Sequence, residues 1–306
     1  MPKQLHIADA FETVHGLPRP KWKLLRQRVC QLTGKEKPKD QDWLVLQRHW
    51  LKRIAEVAGS NFGVIESDRF ILMARDPEES KWILDIAEQG QQKAVASLGE
   101  RIGEPVTGKI PIIIFMNTHL YRQHVRYYGP DGRPDESDGV CAHDNGEIHI
   151  ALLSLSKIKD VLPHELTHAH VGNLPLPTWL NEGVAQLVAR RWKYDLTAEF
   201  ESHAKLFWRT RRLDRLWTAE AFDAPRVEEE TDFAYLFSEL LVKEIRRLGE
   251  SDFRKFLAEA NKSDAGEAAC KSVYGFGLQV WAQKLLGPGD WGPLEEVEIV
   301  EEGPTS

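Results

Sequence analysis

The chain has 306 residues, 42% of them apolar and 28% charged, with ten Trp and twelve Phe, which is core material for one or two domains and excludes a disordered or fibrous chain. No apolar run approaches the roughly 18 residues that a bilayer-spanning helix needs, the first residues MPKQLHIADAFETVHG are polar where a secretory signal would be apolar, and three cysteines without metal-type spacing read as reduced thiols, so no membrane partner and a cytoplasmic location are expected. The net charge of −7 divides into a basic start, +6 over residues 1–60, and an acidic end, −6 over residues 287–306, yet the Lys and Arg of the start interleave with apolar residues as on a solvated helix face, so nucleic acid is not an expected partner.

Residues 20–59 carry Trp22, Leu25, Val29 and Leu32, then Trp43, Leu46, Trp50, Ile54 and Val57. Spacings of three and four predict two amphipathic helices joined by the polar GKEKPKD loop. From Asn61 the texture changes, and VIES followed by RFILMA reads as a hairpin entering a sheet. Residues 78–98 return to helical spacing through Ile83, Ile86, Ala87, Ala94 and Leu98, and the β-branched run IPIIIF at 110–115 reads as a buried strand. After a Gly/Pro/Asp-rich loop at 129–139, VCAH and EIHIAL flank Asn145-Gly146, a strong hairpin signal. Because EIHIAL alternates, one exposed face is expected for it. Beyond Lys157 the pattern is almost wholly helical: 161–171, 179–193, 197–212, 232–248, 251–261 and 264–285, the last interrupted at Gly275 and Gly277.

The expected fold class is therefore α+β, a small mixed sheet with an edge strand beside a mostly helical C-terminal half. The expected division is a basic helical N-terminal region at 1–60, a main domain at 61–286 and an acidic mobile tail at 287–306.

Within VLPHELTHAHVGN, His164, Glu165 and His168 form the pattern H-E-x-x-H. Residues four apart on a helix share a face, so two imidazoles can grip one ion. Asp160 is the expected N-cap, Pro163 then falls in the first turn where its missing N–H costs nothing, and Gly172 supplies the stop. In a chain with 11 His and 29 Glu the pattern arises by chance in about 4 percent of cases, so the next segment carries weight. There, in PLPTWLNEGVAQLVARRW, Thr178 can cap a second helix whose first turn presents Glu182. Catalytic zinc takes three protein ligands and one open position, and two His plus one Glu is a recurrent set. His170, two positions from His168, points about 200 degrees away and reads as packing.

The strings HELTH, GN and WLNEG together resemble the gluzincin zinc metallopeptidases, and within them the zinc aminopeptidase branch, whose motif reads HELxHxxxGN followed by WLNEG. The stretch from about Phe62 to Leu286 is similar to the peptidase MA-like group. Residues 1–60 resemble no family. The resemblance implies a zincin-like fold, a zinc-dependent peptidase acting on a peptide or protein substrate, one catalytic Zn2+ held by His164, His168 and Glu182, and Glu165 as general base. It also implies an oxyanion donor on a later helix, for which Tyr235 is the candidate and Tyr194 and His203 the reserves, and it places EIHIAL at a sheet edge lining the cleft. The chain lacks the G-x-M-E-N string by which the aminopeptidase branch holds a free N-terminus. Metzincins are excluded, since Val171 and Leu174 stand where they require Gly and His. The alternative is a catalytically inactive, zinc-stabilised scaffold or interaction module, against which an intact Glu165 argues: a structural site would close its tetrahedron with a fourth protein ligand.

Overall fold

The runs FILMA at 70–74 and IPIII at 110–114 are buried at every residue, because both are interior strands of a sheet covered on its two faces. The computed structural model describes residues 7–100, 106–128, 137–172, 174–189, 198–211, 213–222 and 228–294. In chain order the elements are β1 (Phe11–Val14), β2 (Leu17–Pro20), α1 (Trp22–Thr33), α2 (Asp40–Ala58), β3 (Gly63–Glu66), β4 (Phe70–Ala74), α3 (Pro77–Leu98), β5 (Ile110–Ile114), α4 (Thr118–Tyr128), β6 (Gly139–Asp144) and β7 (Glu147–Leu152). There follow α5 (Ile158–Val171), α6 (Thr178–Ala189), α7 (Ala198–Arg209), α8 (Asp214–Trp217), α9 (Glu228–Arg246), α10 (Glu250–Glu259), α11 (Glu267–Tyr274) and α12 (Leu278–Leu286). The protein is thus α+β, with a mixed sheet and a helical C-terminal half. Among the described residues no helix is long and apolar enough to cross a membrane, and Cys30, Cys141 and Cys270 are free thiols.

Contacts divide the chain into two units, Met1–Leu174 with Ala185–Lys193, and Pro175–Val184 with Tyr194–Ser306. The first holds a five-stranded sheet of order β3-β4-β5-β7-β6, antiparallel at its two ends and parallel between β4, β5 and β7. Side chains alternate along each strand between two cores. Ile71, Met73, Ile113 and Ala151 join Trp22 of α1, Trp43 and Trp50 of α2, and Tyr121 and Val125 of α4. Phe70, Leu72, Ile112, Ile148 and Ile150 face the other way and join Ile83 and Ala87 of α3 and Val161, Leu162 and Leu166 of α5. The first core runs unbroken across position 60, where the sequence texture changes.

Two sequence expectations about β7 are corrected. All six of its residues are buried, and it is an interior strand with β6 outside it. Its alternation reflects polar residues buried with partners rather than a wet face. Trp43 Nε1 and Gln47 Nε2 donate to Glu147 at 2.6 and 2.7 Å, and His149 bonds His124 at 2.9 Å. The Asn145-Gly146 turn does form, with φ of 50° and 83°, as a two-residue hairpin turn requires.

The hairpin β1–β2, turning at His15 and Gly16, has no clear sequence signal, since Pro18 and Pro20 argue against a strand. Counted from the two-residue turn, Val14 and Leu17 form the hydrogen-bonded pair, so both prolines fall at non-hydrogen-bonded positions where no N–H is needed.

In the second unit α9 packs against α7 and α12, and α10 against α11. Trp179 of α6 donates to the Ala265 carbonyl at 2.9 Å and meets Trp217 edge-on at 5.5 Å. Beyond α12 the chain stays docked as far as Trp291: Gln279 Oε1 accepts from the Trp291 N–H at 2.6 Å, and the Trp291 carbonyl accepts from Trp217 Nε1 at 2.9 Å. The acidic stretch 295–302 and the loop at 129–136 lie outside the described residues.

Candidate metal centre

Helix α5 is nearly all buried. Leu162, Leu166 and Ala169 face the sheet core, and at 100° per residue His164 and His168 then lie on the opposite side of the helix. The helix starts earlier than expected. The Lys157 carbonyl accepts from the N–H groups of Asp160 and Val161 at 3.0 and 2.9 Å, so Ile158 is the first helical residue and Asp160 sits in the first turn instead of capping it. Pro163 consequently lies inside the helix rather than in its first turn. Gly172 ends it at φ 66°, its N–H bonding the His168 carbonyl at 3.0 Å.

One ligand atom from each of His164, His168 and Glu182 lies within 4.8 Å of the other two. The imidazole Nε2 atoms of His164 and His168 are 3.0 Å apart, with the rings nearly perpendicular at 83°. An ion held tetrahedrally at about 2.0–2.1 Å sets its nitrogen ligands about 3.3 Å apart. The two imidazoles are therefore within a few tenths of an ångström of that spacing, with a Glu182 carboxylate oxygen no more than 4.8 Å from each. Two imidazoles and a carboxylate suit several divalent transition ions and do not single out zinc.

Two glycines position these groups, a role that motif reading does not assign. A Cβ on Gly139 would lie 2.5 Å from Val161 Cγ1, 2.6 Å from Leu152 Cδ2 and 3.3 Å from Glu165 Cγ, so only glycine lets α5 lie this close to the start of β6. Glu165, 6% exposed, is packed there. A Cβ on Gly183 would lie 2.5 Å from the Ser238 carbonyl oxygen and 2.8 Å from Val242 Cγ2, so the helix turn carrying Glu182 touches α9 backbone to backbone. Tyr235 lies on α9 one turn before Ser238, its ring edge-on to Phe222 at 5.3 Å. His203 is exposed on α7, and Tyr194 lies outside the described residues.

His170 packs as the sequence suggests. Its Nε2 must donate to the Gly99 carbonyl, 3.0 Å away, so its Nδ1 accepts from Gln91 Nε2 at 3.1 Å. This ties α5 to α3. Thr178 is the first residue of α6, and the Pro177 carbonyl takes the first helical bonds from Leu180 and Asn181 at 3.0 Å.

No protein-family model matches the chain, and no curated protein matches it in sequence.

Proposed function

We propose that the protein is a zinc-dependent peptidase of zincin-like architecture that hydrolyses peptide bonds, with His164, His168 and Glu182 as the metal ligands and Glu165 as general base. The observation that carries this reading is the convergence of two imidazole nitrogens and one carboxylate oxygen, from His164, His168 and Glu182, within 4.8 Å of one another. Three protein ligands leave one position of a tetrahedral ion open, which distinguishes a reactive site from a structural one.

A zinc ion bound there supplies Lewis acidity to the scissile carbonyl and to the attacking water. Glu165 takes a proton from that water and delivers it to the departing amine. Its Cγ packs against Gly139, and it stands on the same helix as both histidines, so it is presented from the same backbone as two of the ligands. Tyr235, on the helix against which Gly183 is pressed, is assigned as the donor that steadies the developing oxyanion.

The test is to compare wild-type protein with Glu165→Gln for bound zinc and for hydrolysis. Retained zinc with hydrolysis reduced about 100-fold or more is the expected result. Equal hydrolysis by both proteins contradicts the reading, as does a wild-type protein that holds zinc stoichiometrically and cleaves nothing.

A further inference from the structure

A guanidinium with no solvent exposure sits in the first unit. Arg19 of β2 donates from Nη1 to His124 Nδ1 at 2.7 Å and from Nη2 to the Gln123 carbonyl at 3.0 Å. It lies over the rings of Tyr127 and Tyr128 at 4.8 and 4.9 Å. Among the described residues no carboxylate bonds it. His124 continues to His149 through facing Nε2 atoms 2.9 Å apart, and both histidines are completely buried.

The proton positions in this chain follow from chemistry alone. Arginine only donates, so His124 Nδ1 must be an acceptor and the His124 proton sits on Nε2. That proton points at His149 Nε2, which must therefore accept, leaving the His149 proton on Nδ1. The chain runs one way, from Arg19 through His124 to His149, and it holds only with both rings neutral. A proton added to His124 sets its Nδ1–H against Arg19. A proton added to His149 sets two Nε2–H groups against each other, or, if His124 turns its own proton around, again faces Arg19. Every protonated arrangement breaks one of the two bonds.

We propose that Arg19, His124 and His149 form an acid-operated latch that fastens the hairpin β1–β2, through α4, to the central sheet. The three residues stand on elements far apart in sequence, and neither β2 nor α4 belongs to the five-stranded sheet that contains β7; α2 also holds the hairpin, Trp50 Nε1 donating to the Pro18 carbonyl at 3.1 Å. Burial, then the Arg19 charge, then His149 hold His124 well below the ordinary histidine range. Burial, then Arg19 and His143, bring His149 to about 3.

The groups around the pair do not relieve this. β6 presents His143 and Asp144, β7 presents Glu147, α4 presents Tyr127 and Tyr128, and β1 presents Glu12, whose carboxylate pairs with Lys21 at 3.6 Å. Asp144 bonds Asn145, and Glu147 is occupied by Trp43 and Gln47. From α2 only Trp50 stacks on the rings, while its His49 and Arg53 engage Phe11. Among the described residues no carboxylate bonds either imidazole, so neither imidazolium has a counter-ion in place.

Linkage sets the direction. A released imidazole takes up a proton below about pH 6.5 that the latched one refuses, so acid favours release, by about 30-fold per imidazole at pH 5. The readouts are nitrogen NMR of the imidazoles and amide hydrogen exchange, normalised for intrinsic rates, on the full-length protein. At pH 7 His124 is expected to carry its proton on Nε2 and His149 on Nδ1. Between pH 7 and pH 5 the amides of the hairpin are expected to lose about 30-fold or more of their protection while those of α3 and α5 keep theirs. Replacing His149 by Gln, which bonds but does not titrate, leaves one imidazole to drive release and about halves the loss at pH 5 on a logarithmic scale; should this variant not fold, the wild-type spectra decide alone. Either histidine protonated at pH 5 with the hairpin still protected overturns the latch, and so does simultaneous loss of protection in hairpin and α3.

Discussion

Two histidine pairs in this chain share one geometry and differ in everything else. His164 and His168 face each other through Nε2 atoms 3.0 Å apart, and His124 and His149 do so at 2.9 Å. Beside the first pair stands the Glu182 carboxylate; beside the second stands the Arg19 guanidinium, 2.7 Å from His124 Nδ1. A carboxylate adds a negative oxygen to two neutral nitrogen donors, and the sum attracts a cation. A guanidinium claims one nitrogen as acceptor and repels any cation, leaving a chain that shares protons. The spacing of two imidazoles is thus no signature of a metal; the charge of the third group decides.

Metal binding separates the two histidine pairs most strongly. His168→Ala is expected to weaken zinc affinity more than about 100-fold, the upper end of what loss of a mere supporting contact costs, whereas His149→Gln leaves zinc stoichiometry at one per chain. Zinc titration followed by equilibrium dialysis reads both.

Next in size is the acid dependence of stability. His149 has a folded value of about 3, below the ordinary 6.5 of the unfolded chain, so the unfolded state binds more protons between those values. Stability contributed by neutral His149 is complete above about pH 6.5 and is lost progressively toward pH 3, on the order of 5 kcal/mol for a full shift of this size. Urea unfolding at successive pH values should show that slope, and Arg19→Met should flatten it.

Smaller effects come from Gly183 and Glu147. Gly183→Ala forces a Cβ against the Ser238 carbonyl and should cost about 1–3 kcal/mol in denaturant unfolding, with weakened zinc affinity because the helix turn bearing Glu182 shifts. Burial raises the Glu147 carboxyl to about 8, against the opposing donors Gln47 and Trp43. A raised carboxyl stabilises the fold below its unfolded value near 4.5 and loses that contribution as pH climbs through 8. Glu147→Gln should therefore gain stability relative to wild type between pH 6 and pH 9, by about 1 kcal/mol or more; an unchanged difference over that range would mean that Glu147 is ionised throughout.

What the sequence made legible followed from local spacing. His164, Glu165 and His168 occupy one turn and a third of a single helix, and Glu182 follows in a motif string, so their proximity needs little knowledge of tertiary structure. The helices at 22–58 and the interior strands at 70–74 and 110–114 were legible for the same reason. The face that β7 shows was not. Glu147 and His149 alternate with apolar residues as on a half-wet strand, and only α2 and α4, whose partner residues lie 100 and 25 positions away respectively, supply the partners that bury them. Nor was the hairpin β1–β2 legible, because the suitability of Pro18 and Pro20 depends on which side of a two-stranded ribbon they occupy. Gly139 reads as an ordinary glycine, and Gly183 only as the last letter of WLNEG, until the elements crossing them are known.

The most direct measurement is digestion of a mixed peptide library by the full-length protein, as zinc-loaded, chelator-stripped and zinc-restored samples, read by mass spectrometry. Cleavage in the first and third samples and none in the second is predicted, with Glu165→Gln silent in all three. A zinc-loaded sample that leaves every peptide intact, or cleavage that persists after stripping, would contradict hydrolysis at the His164–His168–Glu182 centre.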